Sequence, residues 1–210
     1  MNLNDFLKSS DKRTKLQWRK VHSTEDTRAA LIQTLKHFEP NYEEQHSEVV
    51  TDLAKYIARD EDFSGDLNKG ILMAGPTGTG KTLLLTAFKT LMVYVHNFGF
   101  KIYSGKQMER IYQTEGEERE KLERALKYAC FGFDDIGEEH SYVMVYGTKI
   151  NVGEDVLTQR HLQFINHGQL TFGTLNLNKE LFKDKYGQRI DSRRNEMFNW
   201  MVVKGKDNRL

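Results

Sequence analysis

Gly75-Pro76-Thr77-Gly78-Thr79-Gly80-Lys81-Thr82 follows the apolar run Ile71-Leu72-Met73-Ala74 and precedes Leu83-Leu84-Leu85. The spacing is G-x-x-x-x-G-K-[ST], between a strand and a helix as that motif requires. Glycines at 75, 78 and 80 let the backbone curl until several N–H groups point at one anion. A helix starting near Lys81 aims its positive end at the same anion. Lys81 then reaches the β- and γ-phosphates as a point charge, and the Thr82 hydroxyl is a ligand for Mg²⁺. The segment is read as a phosphate-binding loop for ATP.

Hydrolysis also needs a carboxylate at the tip of a neighbouring strand. Phe131-Gly132-Phe133-Asp134-Asp135 supplies one. Asp134 is expected to hold Mg²⁺, and Asp135 to orient and polarise the attacking water. Glu138 and Glu139 follow and are expected to be surface acids.

Other chemistries find little support. Asn178-Lys179-Glu180-Leu181 lacks the last residue of the guanine-recognition motif Asn-Lys-x-Asp. His96, His140, His161 and His167 show no metal-ligand spacing. Cys130 opens an apolar strand and reads as core. Tyr94, Phe98, Phe100 and Tyr103 are expected to pack helices and core, as is Trp200.

The elements that must position these residues follow from periodicity. Ser23-Thr24-Glu25-Asp26 caps a helix carrying Ala30, Leu31, Leu35 and Phe38. A second amphipathic helix is expected over Tyr42–Ala58. Beyond Lys69, short apolar runs alternate with helical stretches. Strands are expected at Gly70–Ala74, Phe100–Tyr103, Cys130–Phe133, Leu170–Leu175 and Met197–Val203, with helices between them. That alternation predicts an α/β fold with a parallel five-stranded sheet covered by helices on both faces. The chain is expected to divide into an N-terminal arm and helices, residues 1–60, and an ATPase core, residues 61–210.

Bulk composition agrees. The chain has 210 residues, 38% hydrophobic and 29% charged, with a net charge of +1 and one cysteine. No apolar run approaches the roughly 20 residues needed to span a bilayer. The N-terminal segment lacks the apolar stretch of a signal peptide, so a cytoplasmic location is expected. The near-neutral net charge leaves nucleic-acid contact to local patches. These are Lys12, Arg13, Lys15, Arg19 and Lys20 near one end, and Arg189, Arg193, Arg194, Lys204, Lys206 and Arg209 near the other.

Taken together, the motifs resemble a particular family. Asn68–Thr82 is similar to the phosphate loop of DnaC/IstB-type AAA+ ATPases. Phe133-Asp134-Asp135-Ile136-Gly137-Glu138 resembles their acidic strand end, and Thr174-Leu175-Asn176 their sensor-1 element. Tyr186–Arg193 followed by Glu196-Met197-Phe198 is similar to their arginine-bearing segment.

The resemblance implies a P-loop AAA+ fold, here without a C-terminal lid domain. It implies that Asn176 contacts the lytic water or γ-phosphate, and that Arg193 or Arg189 is a finger for a neighbouring subunit's ATP, with Arg193 preferred. Arg209 matches a late sensor-2-like arginine at the nucleotide. The implied partners are DNA, single-stranded in preference, a replicative helicase or a transposase, and further copies of the chain. A helicase loader, a transposition helper on duplex DNA and a slow nucleotide-gated DNA-binding module all remain open. Residues 146–152 are expected to form a polar loop facing DNA or a neighbour.

Overall fold

The structure is a computed structural model describing residues 23–42, 46–140, 142–145 and 147–205. Its elements, in chain order, are α1 (Thr24–Phe38), α2 (Ser47–Ala58), β1 (Gly70–Ala74), α3 (Lys81–His96), β2 (Lys101–Ser104), α4 (Gly105–Tyr112) and α5 (Glu117–Tyr128). There follow β3 (Phe131–Ile136), β4 (Val143–Val145), β5 (Thr148–Ile150), α6 (Val152–His167), β6 (Thr171–Leu175), α7 (Lys179–Met197) and β7 (Phe198–Val202).

Five strands form one parallel sheet in the order β2-β3-β6-β1-β7. The expected fold class is therefore present, and no separate lid domain follows β7 among the described residues. Period-two alternation decides what each strand contributes. Leu72 and Ala74 of β1 join a core with residues of α4, α5, α6 and α7. Ile71 and Met73 point the other way, into a core shared with α1, α2 and α3. Being covered twice, β1 and β6 are buried at every position, as parallel sheets require.

The helices begin and end for local reasons. Ser23 accepts a hydrogen bond from the Asp26 N–H, with Glu25 and Asp26 in the first turn of α1 and Lys36 and His37 in the last. Those charges complement the helix dipole. The second helix starts at Ser47, not at Tyr42, and stops where Arg59 turns left-handed. On α3 the buried apolar positions are Leu84, Leu85, Ala87, Phe88, Leu91, Met92 and Val95. The same spacing turns Tyr94 outward, 74% exposed, so it is not the core residue expected. Trp200 is only partly buried, its ring flanked by the Arg194 guanidinium at 4.6 Å and the Lys179 ammonium at 5.7 Å.

The polar loop expected at 146–152 contains a strand. Val143 and Val145 are buried on one face of β4, which pairs antiparallel with β5 across Gly147, at φ 79°. Tyr146 itself lies outside the described residues, as do the N-terminal basic cluster, Lys206 and Arg209.

Arg160 of α6 is fully buried. Its guanidinium donates to the carbonyls of Leu126 (2.6 Å) and Leu170 (3.0 Å) and to the Thr171 hydroxyl (2.9 Å), tying the end of α5 to the start of β6. Burial lowers its pKa to about 10, so the charge persists at neutral pH. Arg160→Met keeps the stem but strips these acceptors of their donor. Each buried acceptor left bare costs about 1–3 kcal/mol, so urea unfolding should show a loss of at least about 2 kcal/mol. A variant as stable as the parent means that desolvating the guanidinium cancels its bonds.

Candidate nucleotide site

The site forms at the carboxyl ends of β1, β3 and β6, where open α/β sheets bind ligands. After β1 the chain turns through Gly78 and Gly80, both at φ 80°, and enters α3 at Lys81. Left-handed φ is where glycine is needed. Gly75 is required for a different reason, because a Cβ there would stand 2.2 Å from the Val203 carbonyl oxygen. Pro76 and Thr77 are exposed at the crest, and Thr79 is buried with its hydroxyl donating to the Pro76 carbonyl at 2.8 Å. Lys81 is 5% exposed, its ammonium donating to the same carbonyl at 2.6 Å. A cation is thus held in the mouth of a loop whose shape suits an anion.

The acidic strand is not the neighbour of β1, as expected from the sequence; β6 lies between them. Thr174 of β6 fixes the acids of β3. Its hydroxyl donates to Oδ1 of Asp134 (2.5 Å) and accepts the Asp135 N–H (2.9 Å). From the other side the Thr82 hydroxyl donates to the same Asp134 oxygen at 3.1 Å. Thr82 and Asp134 therefore present adjacent oxygen ligands, the donor set a hard cation such as Mg²⁺ takes. The residues fit that ion.

Asp135 departs from strand geometry, at φ 53°. The register of β3 against β6 shifts between Phe133 and Ile136. Such an irregularity re-aims side chains near active sites, and a left-handed non-glycine residue stores strain that its surroundings must hold. Here the bond to Thr174 holds it.

Asn176, just past β6, donates through Nδ2 to Oε1 of Glu138 at 2.5 Å. Its Oδ1 is shielded from water and has no hydrogen-bond partner. Lys106 lies 3.6 Å from the other Glu138 oxygen. Glu138 is exposed as expected, but Glu139 is not; it is 3% exposed and sits among α4, α6 and α7.

The arginines separate by environment. Arg194 is buried and donates to Asp191 at 2.7 Å. Arg193 donates to the Thr158 hydroxyl of α6 at 2.7 Å. Arg189 is exposed and makes no hydrogen bond or ion pair with any described residue. Glu196 pairs with His161, not with an arginine.

Of the residues expected at the site, Thr82 of the loop meets Asp134, while Asp135 and Asn176 lie at the ends of the neighbouring strands β3 and β6 and contact Thr174 and Glu138. Sequence reasoning missed Thr174 as the residue that sets both acids. The available signal was a hydroxyl inside an otherwise apolar central strand. Thr174→Val keeps the shape and removes both bonds. It should destabilise the protein by about 1–3 kcal/mol in urea unfolding, and Thr174→Ser should recover most of that loss.

No family model matches the sequence, and no curated protein matches it. Solved structures do share the fold. The chain is similar to the crystal structure of the DnaC helicase loader, with a TM-score of 0.59 and 17% identity over 78% of this chain and 92% of that one. It is similar to the DnaI crystal structure at a TM-score of 0.61 and 21% identity, covering 86% and 92%. AMPPCP-bound DnaA from Aquifex aeolicus matches at a TM-score of 0.54 and 14% identity, covering 79% and 49%. At these identities the likeness concerns architecture alone: the chain shares the fold of these structures, a parallel five-stranded sheet covered by helices.

Proposed function

We propose that the protein is a Mg-dependent ATPase of the DnaC/IstB type that self-assembles and acts on a replicative helicase at single-stranded DNA. The observation that carries this reading is the convergence of the Thr82 hydroxyl on Asp134, beside the phosphate loop and under Thr174. Thr82 and Asp134 would hold Mg²⁺, which would supply positive charge at the phosphates. The loop N–H groups and Lys81 bind the phosphates and orient the γ-phosphorus for in-line attack. Asp135 takes a hydrogen bond from the attacking water and draws off its proton as the new O–P bond forms and the bridging O–P bond breaks. Asn176 offers its unpartnered Oδ1 to the same water.

One cation is still wanted at the γ-phosphate, and a second copy supplies it. Arg189 fits that role better than Arg193, because Arg193 is engaged with Thr158 of its own chain while Arg189 faces outward. A planar donor that is always charged suits the transferring phosphoryl group. Assembly on DNA draws on basic residues near both ends of the chain, including the terminal Arg209, which is also proposed to reach the nucleotide. The helicase as partner rests on the likeness to the DnaC helicase loader.

Lys81→Ala should abolish ATP binding or turnover in a folded protein, and Asp135→Asn should bind ATP and stall. Arg189→Ala alone should lose most turnover, because an arginine finger contributes a factor of about 10³–10⁵. Mixing it with Lys81→Ala should restore activity, since one chain carries a working pocket and the other an intact arginine. Two inactive variants that never complement refute the finger in trans. Single-strand binding should weaken with salt, with a slope of about −0.7 in log–log form per phosphate contact. A preference for duplex DNA instead moves the reading to a transposition helper.

A further inference from the structure

Glu139 is a buried acid that the proposed chemistry does not use. Its carboxylate takes hydrogen bonds from the Tyr186 hydroxyl and from the Gly137 N–H, the latter at 2.9 Å, and Lys185 stands 3.8 Å away. The surrounding chain is shaped to it. A Cβ at Gly105 would stand 2.7 Å from Oε2, and one at Gly153 2.5 Å from Oε1. Gly105 opens α4 and Gly153 lies in the first turn of α6, so two helix N-termini face one carboxylate. Helix N-termini favour negative charge.

The partners of Glu139 are not scattered. Lys185 also donates to the carbonyls of Gly137 and Glu139, each at 2.8 Å. Residues 185–186 of α7 thus grip residues 137–139 by backbone and side chain together. On the other side Glu109 of α4 holds His140 by its backbone N–H and, at 3.1 Å, by its ring. The gripped loop begins directly after Asp135 and carries Glu138, which holds Asn176. At the far end, α7 breaks at Gly187, at φ 80° and ψ 167°, a conformation essentially reserved for glycine. Two residues later comes Arg189.

We infer that Glu139 is a positioning residue that couples the nucleotide-facing loop 135–139 to the turn bearing Arg189, so that occupancy of one site is felt at the other. The inference rests on the proposed ATP site. Buried hydrogen-bond networks of this kind rigidify the segments they join. Displacement of the loop after Asp135 must therefore move Lys185 and Tyr186, and with them the entry to the Gly187 break. Burial, with the adjacent Glu139 carboxylate adding to it, holds the Tyr186 hydroxyl protonated, so it remains a donor at neutral pH.

The test is amide hydrogen exchange with and without Mg²⁺ and a non-hydrolysable ATP analogue, on the full chain and on Tyr186→Phe, which deletes one donor and keeps the ring. In the parent, the analogue should slow exchange at residues 75–83, at 136–140 and at 184–190. In Tyr186→Phe the first two responses should remain while the third falls by at least about fivefold, the low end of ordinary coupling between sites. ATP turnover in the variant should drop with KM little changed. If Tyr186→Phe does not fold, Lys185→Gln removes the neighbouring grip and should give the same loss. An unaltered response at 184–190 in the folded variant, or none there in the parent, overturns the coupling alone. No response at 75–83 in the parent removes the nucleotide site itself and the coupling with it.

Discussion

Two threonine hydroxyls share Oδ1 of Asp134, one from the first turn of α3 and one from the end of β6, and the site depends on that convergence. The sheet order explains why. With β6 between β1 and β3, the phosphate loop and the acids are a full strand apart, so Thr82 reaches Asp134 from the loop while Thr174 fixes the same carboxylate from β6. Thr174 is short enough to lie within the strand and carries one atom that both donates and accepts. The registers that set it there, Leu72 opposite Gly173 and Phe133 opposite Gly173, require close backbone approach. A Cβ at Gly173 would stand 2.5 Å from the Phe133 carbonyl oxygen, so any larger residue pushes β3 from β6. The glycine closes the strands, and the threonine one residue on uses the closeness.

That arrangement places polar and charged groups at the end of a sheet covered on both faces. Lys81, Asp134, Thr79 and Thr174 are all buried, which is costly unless each finds a partner. Each does, within the loop or across the strands. The exception is Asn176, whose Oδ1 is buried at the end of β6 with no partner. Asp135 carries the matching conformational strain in its positive φ. Departures from local rules are expected where function is placed, and here they fall on adjacent strand ends.

What was legible in the sequence was local. The phosphate loop announces itself because its chemistry is written in consecutive residues, and the strand and helix around it share that window. Alternating apolar runs and helical stretches were enough for a doubly covered parallel sheet. What could not be read depends on partners distant in sequence. Glu139 looks like any acid after a turn until Tyr186 and Lys185 fold onto it. The left-handed Asp135 follows from a register shift against β6, which no property of Phe133-Asp134-Asp135 encodes. The hairpin of β4 and β5 was hidden because each strand has only 3 residues, too few to show a period.

The basic residues of α7 show how geometry separates what composition lumps together. Tyr186, Ile190, Arg194 and Met197 recur at helical spacing and are all buried. Arg194 can occupy that stripe only because Asp191 neutralises it and the rings of Phe182 and Trp200 stack on its guanidinium, at 5.5 Å and 4.6 Å. Arg193, one residue earlier, stands at the margin of the stripe and meets Thr158. Arg189 precedes Ile190 and so lies off the stripe, exposed, two residues after the Gly187 break. A long cation with no partner among the described residues gains little for stability there. The helix that carries it is fastened by the pair of Glu196 with His161 of α6, so the exposed cation sits on a fixed support.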